Sequence, residues 1–209
     1  MSNSTSAEGT MEHAHRDDAG SRLGMWLFLF TELLLFSGLF LTYAVYKFTY
    51  PDEFHAAAKE LNTLFGALNT IILLTSSLTI ALSIVAISRG QKYLSIFFQL
   101  MTIAMALGFM VNKYFEWSAK IGHGIYPGSE TLQDKGHGQT LFFGLYYTMT
   151  GLHGIHVIVG MVLIALMTFW TWKEKINADT FVRLESAGLY WHLVDIIWIF
   201  LFPLFYLIS

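Results

Sequence analysis

The sequence predicts an all-α, polytopic membrane protein in which five transmembrane helices form a bundle behind a polar N-terminal tail. Three observations carry that prediction. Only 13% of the 209 residues are charged and 55% are hydrophobic, whereas a soluble domain carries about a quarter charged residues. The apolar residues gather into five runs, each reaching the roughly 20 residues that a helix needs to cross a bilayer. The runs are too long for barrel strands and lack period-two alternation.

In chain order, residues 1–22, MSNSTSAEGTMEHAHRDDAGSR, are polar throughout. They lack the apolar stretch of a secretory signal and read as a disordered tail. His13 and His15 sit among acids there. A metal site needs a fixed geometry that a solvated tail does not supply, so the histidines read as solvated side chains. The helical domain occupies 23–209, with spans at about 23–46, 63–88, 93–117, 139–172 and 186–208. The fourth run is longer than a straight crossing requires, so it tilts or projects from the bilayer. Between the first two spans, "KFTYPDEFHAAAKELN" has Pro51 followed by acids and then alanines. It predicts a short interfacial helix. "SRGQK" is a tight turn, "AKIGHGIYPGSETLQDKGHG" a long glycine-rich loop, and "KEKINADTFVRLE" a charged connection.

With five spans, the tail and the second and fourth loops share one side of the membrane. They carry Arg16, Arg22, Arg89, Lys92, Lys173, Lys175 and Arg183, against Lys47, Lys59, Lys113, Lys120 and Lys135 on the other. Lysine and arginine favour the cytoplasmic face, so the N-terminus is expected in the cytoplasm and the C-terminus outside. Tyr46, Tyr93, Trp117 and Trp172 stand at span ends, where aromatic belts form. The chain has no cysteine, which excludes disulfides, thiolate metal sites, iron–sulfur clusters and c-type haem attachment. No basic stripe points to nucleic acid.

Ionisable groups inside lipid are costly and mark packing contacts, cavities or ion paths. Glu32 lies nine residues into the first span, about 14 Å deep at 1.5 Å per residue. Asp195 is equally deep in the fifth span, with His192 one turn shallower beside Trp191. His153 and His156 lie near the middle of the fourth span, three apart and therefore on one helix face. Such a pair can meet a carboxylate on a neighbouring helix or hold a metal. No multi-helix histidine ladder demands a metal, so none is assigned. Glu32 has two readings, an interhelical hydrogen-bonding carboxyl and a proton-exchanging or regulatory group. Lys113 and Glu116, three apart near a span end, read as an ion pair at the membrane rim.

Four stretches carry a family resemblance: "GMWLFLFTELLLFSGLF", "FEW", "FFGLYYTMTGLHGIHVIVGM" and "WHLVDIIWIFLFPLFY". Together they resemble subunit III of haem–copper terminal oxidases in its five-helix bacterial form, over roughly residues 21–209. The resemblance implies a non-catalytic subunit of an aerobic respiratory complex that reduces oxygen to water and pumps protons. It implies that haem and copper belong to partner subunits, and that this chain binds subunit I, phospholipids, and subunit II with other small subunits. A larger respiratory supercomplex is a further implied setting. It implies the bacterial cytoplasmic membrane, and it makes Glu32 the family's carbodiimide-reactive buried carboxylate. His153, His156, His192, Asp195, Trp191 and Glu116 are then expected to form intramembrane polar, subunit or lipid contacts. Alternatives are an accessory subunit of a nitric oxide reductase, a quinol oxidase subunit III, an independent proton or cation transporter, and a di-haem cytochrome using the span histidines.

Overall fold

A computed structural model describes residues 4–178 and 180–208. Among the described residues seven helices run in order: α1 Ser4–Thr49, α2 Pro51–Ala58, α3 Thr63–Ser88, α4 Lys92–Gly122, α5 Glu130–Gln133, α6 His137–Trp172 and α7 Val182–Tyr206. Five stretches are long and apolar enough to cross a membrane: Arg22–Thr49 of α1, then α3, α4, α6 and α7. There is no strand among the described residues. The protein is all-helical, with the five candidate spans that the apolar runs predict.

The helix boundaries shift where local chemistry permits. Helix α4 continues to Gly122, past the expected end at residue 117, because Ser-Ala-Lys-Ile contains no helix breaker. Helix α1 is helical from Ser4 and so includes most of the segment read as a polar tail. The side chains of His13 and His15 lie outside the described residues. The interfacial helix forms as α2, with Pro51 in its first turn followed by Asp52 and Glu53. Proline has no N–H to lose at that position, and acids suit the positive end of the helix dipole.

The chain divides into two compact units between Leu35 and Phe36. The first is a single helical segment. Leu23, Trp26, Leu27, Phe30 and Leu34 are exposed on it, and the Thr31 hydroxyl donates back to the Phe28 carbonyl at 2.7 Å.

The second unit is a helical bundle. Helix α3 packs along α4, α7 packs against both α3 and α6, α6 also meets α4, and α2 lies on α6. An aromatic cluster packs where α2 meets α6 and the end of α7. The ring of Tyr43 meets those of Phe54 and Phe205 edge-on at 5.4 and 5.2 Å, and Phe142 meets Phe54 and Phe205 at 5.3 and 5.6 Å. Helix α3 contributes a seam of small polar groups. Trp191 Nε1 donates to Ser76 Oγ and Trp198 Nε1 to Thr70 Oγ1, both at 3.1 Å. The Thr79 and Thr102 hydroxyls meet at 2.8 Å, and Asn112 Nδ2 donates to Asn69 Oδ1 at 3.1 Å. Bonds of this kind hold helices together where lipid supplies no hydrophobic drive. Gly160 brings α6 close to α7: a Cβ there would lie 2.7 Å from the Trp191 ring.

Candidate functional site

One stripe of α4 builds the main polar centre. Phe109, Lys113, Glu116 and Lys120 follow one another at four, three and four residues, which keeps them on one helix face. All four are buried. Lys113 Nζ donates to Glu116 Oε2 at 2.9 Å, to the Tyr206 hydroxyl of α7 at 2.8 Å and to the Tyr146 hydroxyl of α6 at 3.2 Å. Glu116 Oε1 in turn accepts from Tyr206 at 2.6 Å and from Tyr146 at 2.8 Å. The three protons of the ammonium and both carboxylate oxygens therefore have partners, which an ion pair needs once it leaves water. The ring faces of Trp198 and Tyr146 lie 5.0 Å from Nζ and add cation–π attraction. The ion pair expected from the spacing forms. Its side chains are only 8% and 4% exposed, because Tyr146 and Tyr206 cover it from two other helices.

The loop-side end of the second unit is tied down by charge. Glu53 of α2 reaches the start of α6, where its Oε2 accepts from the N–H of Gly138 at 2.5 Å and of Gln139 at 3.2 Å. Those amides have no partner within α6, so the carboxylate caps them. Glycine is required at 138, since a Cβ would meet Glu53 and Tyr50 within 3 Å. Lys135 Nζ pairs with Glu60 Oε1 at 2.6 Å, and Lys120 Nζ donates to the Glu60 carbonyl at 3.1 Å. The carbonyls at the end of α7 are also engaged. Leu204 accepts from Tyr43 at 2.6 Å and Tyr206 from Thr63 at 3.3 Å, and Ile208 meets His55 Nδ1 at 2.8 Å.

The residues singled out from the sequence are distributed as follows. Glu32 lies in the first unit, ten residues into its span and half-buried. Glu116 is in the network just described. Trp191 is fully buried on Ser76 and Gly160. His192 Nδ1 meets the Ser77 hydroxyl at 2.6 Å. Asp195 is 2% exposed and neighbours the same Ser77, yet neither of its oxygens has a partner at hydrogen-bonding geometry among the described residues. His153 is fully buried between the rings of Phe109 and Trp198, at 5.6 and 5.2 Å, and neither ring nitrogen has a partner there. His156 Nδ1 lies 2.8 Å from the Leu152 carbonyl, and its ring meets Phe36 edge-on at 5.3 Å. The structure thus brings His192 and Asp195 to one serine but gives His153 and His156 separate surroundings. No three histidine, aspartate or glutamate side chains stand together as a metal site among the described residues. Lys113 was expected only as the ion-pair partner of Glu116, and Lys120, Tyr146 and Tyr206 were missed as site residues. The inward spacing along α4 is the signal that could have found Lys120.

The model of the family described as cytochrome c oxidase subunit III matches residues 2–209. A cytochrome c oxidase subunit 3 from Thermostichus vulcanus is 30% identical over 100% of this chain and 99% of its own length. One from Synechocystis is 32% identical, covering 99% and 83%. A cytochrome bo(3) ubiquinol oxidase subunit 3 from Pseudomonas aeruginosa is 28% identical, covering 95% and 90%. A match along nearly every residue, joined to five helices of spanning length, shows that the chain belongs to the cytochrome c oxidase subunit III family.

Proposed function

We propose that the chain is the non-catalytic third subunit of a bacterial respiratory haem–copper oxidase. The observation that carries this reading is the family match over residues 2–209. In this role the chain sits against subunit I, with subunit II and smaller chains nearby, and stabilises the catalytic subunit. Haem and copper lie in those partners. The donor set here does not suit either group: His153 is enclosed by rings and His156 is turned onto a carbonyl of its own helix. Glu32, with its half-buried carboxyl inside the first span, supports proton uptake by the complex. Phospholipids bind the helical surfaces. The seven-to-five distribution of Lys and Arg supports a cytoplasmic N-terminus and an external C-terminus in the inner membrane.

A quinol oxidase subunit III is the second reading. The bo(3) ubiquinol oxidase relative is nearly as similar as the cytochrome c oxidase relatives, at 28% against 30 and 32%. The test is gentle purification of the native protein from its membrane, with identification of co-migrating chains and a visible spectrum. Co-purifying subunits that carry haem and copper are expected. A solitary, colourless oligomer would sink the proposal. Oxidation of reduced cytochrome c or of quinol by the same preparation decides between the two complexes.

A further inference from the structure

A cavity of about 600 Å³ opens between the start of α3, the last turns of α4 and the loop after α4. Its polar lining is Glu60, Glu116, Lys120 and Lys135, with Asn62 and His123, and Phe65 and Phe115 form part of its apolar wall. Most of these charges are already matched. Glu116 is engaged by Lys113 from behind, and Glu60 by Lys135 at 2.6 Å. His123 turns Nδ1 onto the Ala119 carbonyl at 2.6 Å. Lys120 is different. It is 8% exposed, and its one hydrogen bond among the described residues goes to a neutral carbonyl, that of Glu60. Three lysines (113, 120 and 135) face two glutamates (60 and 116), so one buried positive charge remains over beside the cavity.

We infer that this cavity binds the phosphodiester group of a membrane phospholipid, with Lys120 as its counter-ion. The inference rests on the reading of the chain as a membrane-embedded oxidase subunit. A phosphodiester carries a single negative charge, equal to the excess. Its oxygens can accept the two ammonium protons of Lys120 that the Glu60 carbonyl leaves over, and such charge-assisted bonds are the stronger kind. The volume is within the range of small-ligand sites. The walls select a lipid over free phosphate. Phe115 is 60% exposed at the mouth, near the end of a candidate span, and offers an apolar track on which an acyl chain can leave.

The test uses the intact complex in phosphatidylcholine nanodiscs. The probe is a phosphatidylcholine with a photoreactive group near the start of one acyl chain, and labelled peptides are mapped by mass spectrometry. Labelling is expected in the peptide around Phe115. Lys120→Gln is expected to lower it about tenfold, equivalent to about 1.4 kcal/mol, and Lys120→Arg to retain it. A second arm needs no variant: a diacylglycerol probe with the same photoreactive chain but no phosphate is expected to label this peptide weakly. Equal labelling by the two probes, labelling unchanged by Lys120→Gln, or loss of labelling to millimolar inorganic phosphate would each overturn the site. The subunit composition of the same preparation reports separately on the oxidase reading.

Discussion

Replacing Glu116 by Gln tests whether the Lys113 network is the stabilising centre of the bundle. The change is nearly isosteric. The amide oxygen can still accept from Tyr146 and Tyr206, as Oε1 does now. The amide nitrogen would take the place of Oε2 and turn N–H groups toward Lys113 Nζ, now 2.9 Å from that oxygen. The perturbation therefore removes one thing, the charge that compensates a buried ammonium. Breaking a buried pair in this way costs about 3–5 kcal/mol, or more than a hundredfold in the folding equilibrium. The assay is equilibrium unfolding in mixed micelles with added dodecyl sulfate, followed by circular dichroism. Lys113→Met with Glu116→Gln removes both charges, so the double variant should lose no more stability than Glu116→Gln alone. A single-variant loss under about 1 kcal/mol, or losses that simply add, would show that the pair is not coupled as described.

Four further outcomes are expected. Gly160→Ala puts a methyl 2.7 Å from the Trp191 ring, which its indole bond to Ser76 holds in place; an overpacking loss of about 1–3 kcal/mol should appear in the same unfolding titration. Glu53→Ala strips the cap from α6 and should cost about 1 kcal/mol, with faster amide exchange at Gly138 and Gln139 as the direct readout. Glu32→Ala should reduce recovery of the subunit with its complex more than Glu32→Gln, which keeps a hydrogen-bonding side chain; equal recovery by quantitative blotting would remove the hydrogen-bonding role. The last outcome concerns pH. The Lys92 ammonium beside Glu174, 2.9 Å away, holds that carboxyl below its usual range by hydrogen bond and by charge. A depressed carboxyl contributes in full above its unfolded pKa and loses that contribution as pH falls through the folded value. Amide protection around residue 174, taken relative to the intrinsic exchange rate at each pH, should therefore fall on acidification below the usual carboxylate range, and Lys92→Gln should remove that response.

Five helices were legible because lipid imposes one length and one composition on every crossing. The interfacial helix was legible from Pro51 and the two acids after it, a purely local signal. The ion pair of Lys113 and Glu116 was legible from their spacing of three residues. Its burial was not legible, because it comes from tyrosines 30 and 90 residues beyond Glu116 in the chain. No local pattern identifies Tyr146 and Tyr206 as their cover. The stripe from Phe109 to Lys120 did carry the information in its spacing. The reach of Glu53 to Gly138, across 85 positions, left no trace except a glycine among many. Trp191 was expected among the intramembrane contacts, and its serine partner was not legible, since hydroxyls are scattered through α3.

The bonds at the far end of α7 have a consequence for biosynthesis. The Tyr43 hydroxyl finds its acceptor on Leu204, 161 positions later, and Thr63 waits 143 positions for Tyr206. A ribosome adding about 5–20 residues per second needs many seconds to supply those acceptors. During that interval Tyr43, His55 and Thr63 have no native carbonyl to bind. His55 and Thr63 are exposed, so water can satisfy them meanwhile. Membrane insertion of the early helices and their final closure are therefore separate events in time, and the second cannot begin until α7 has been made.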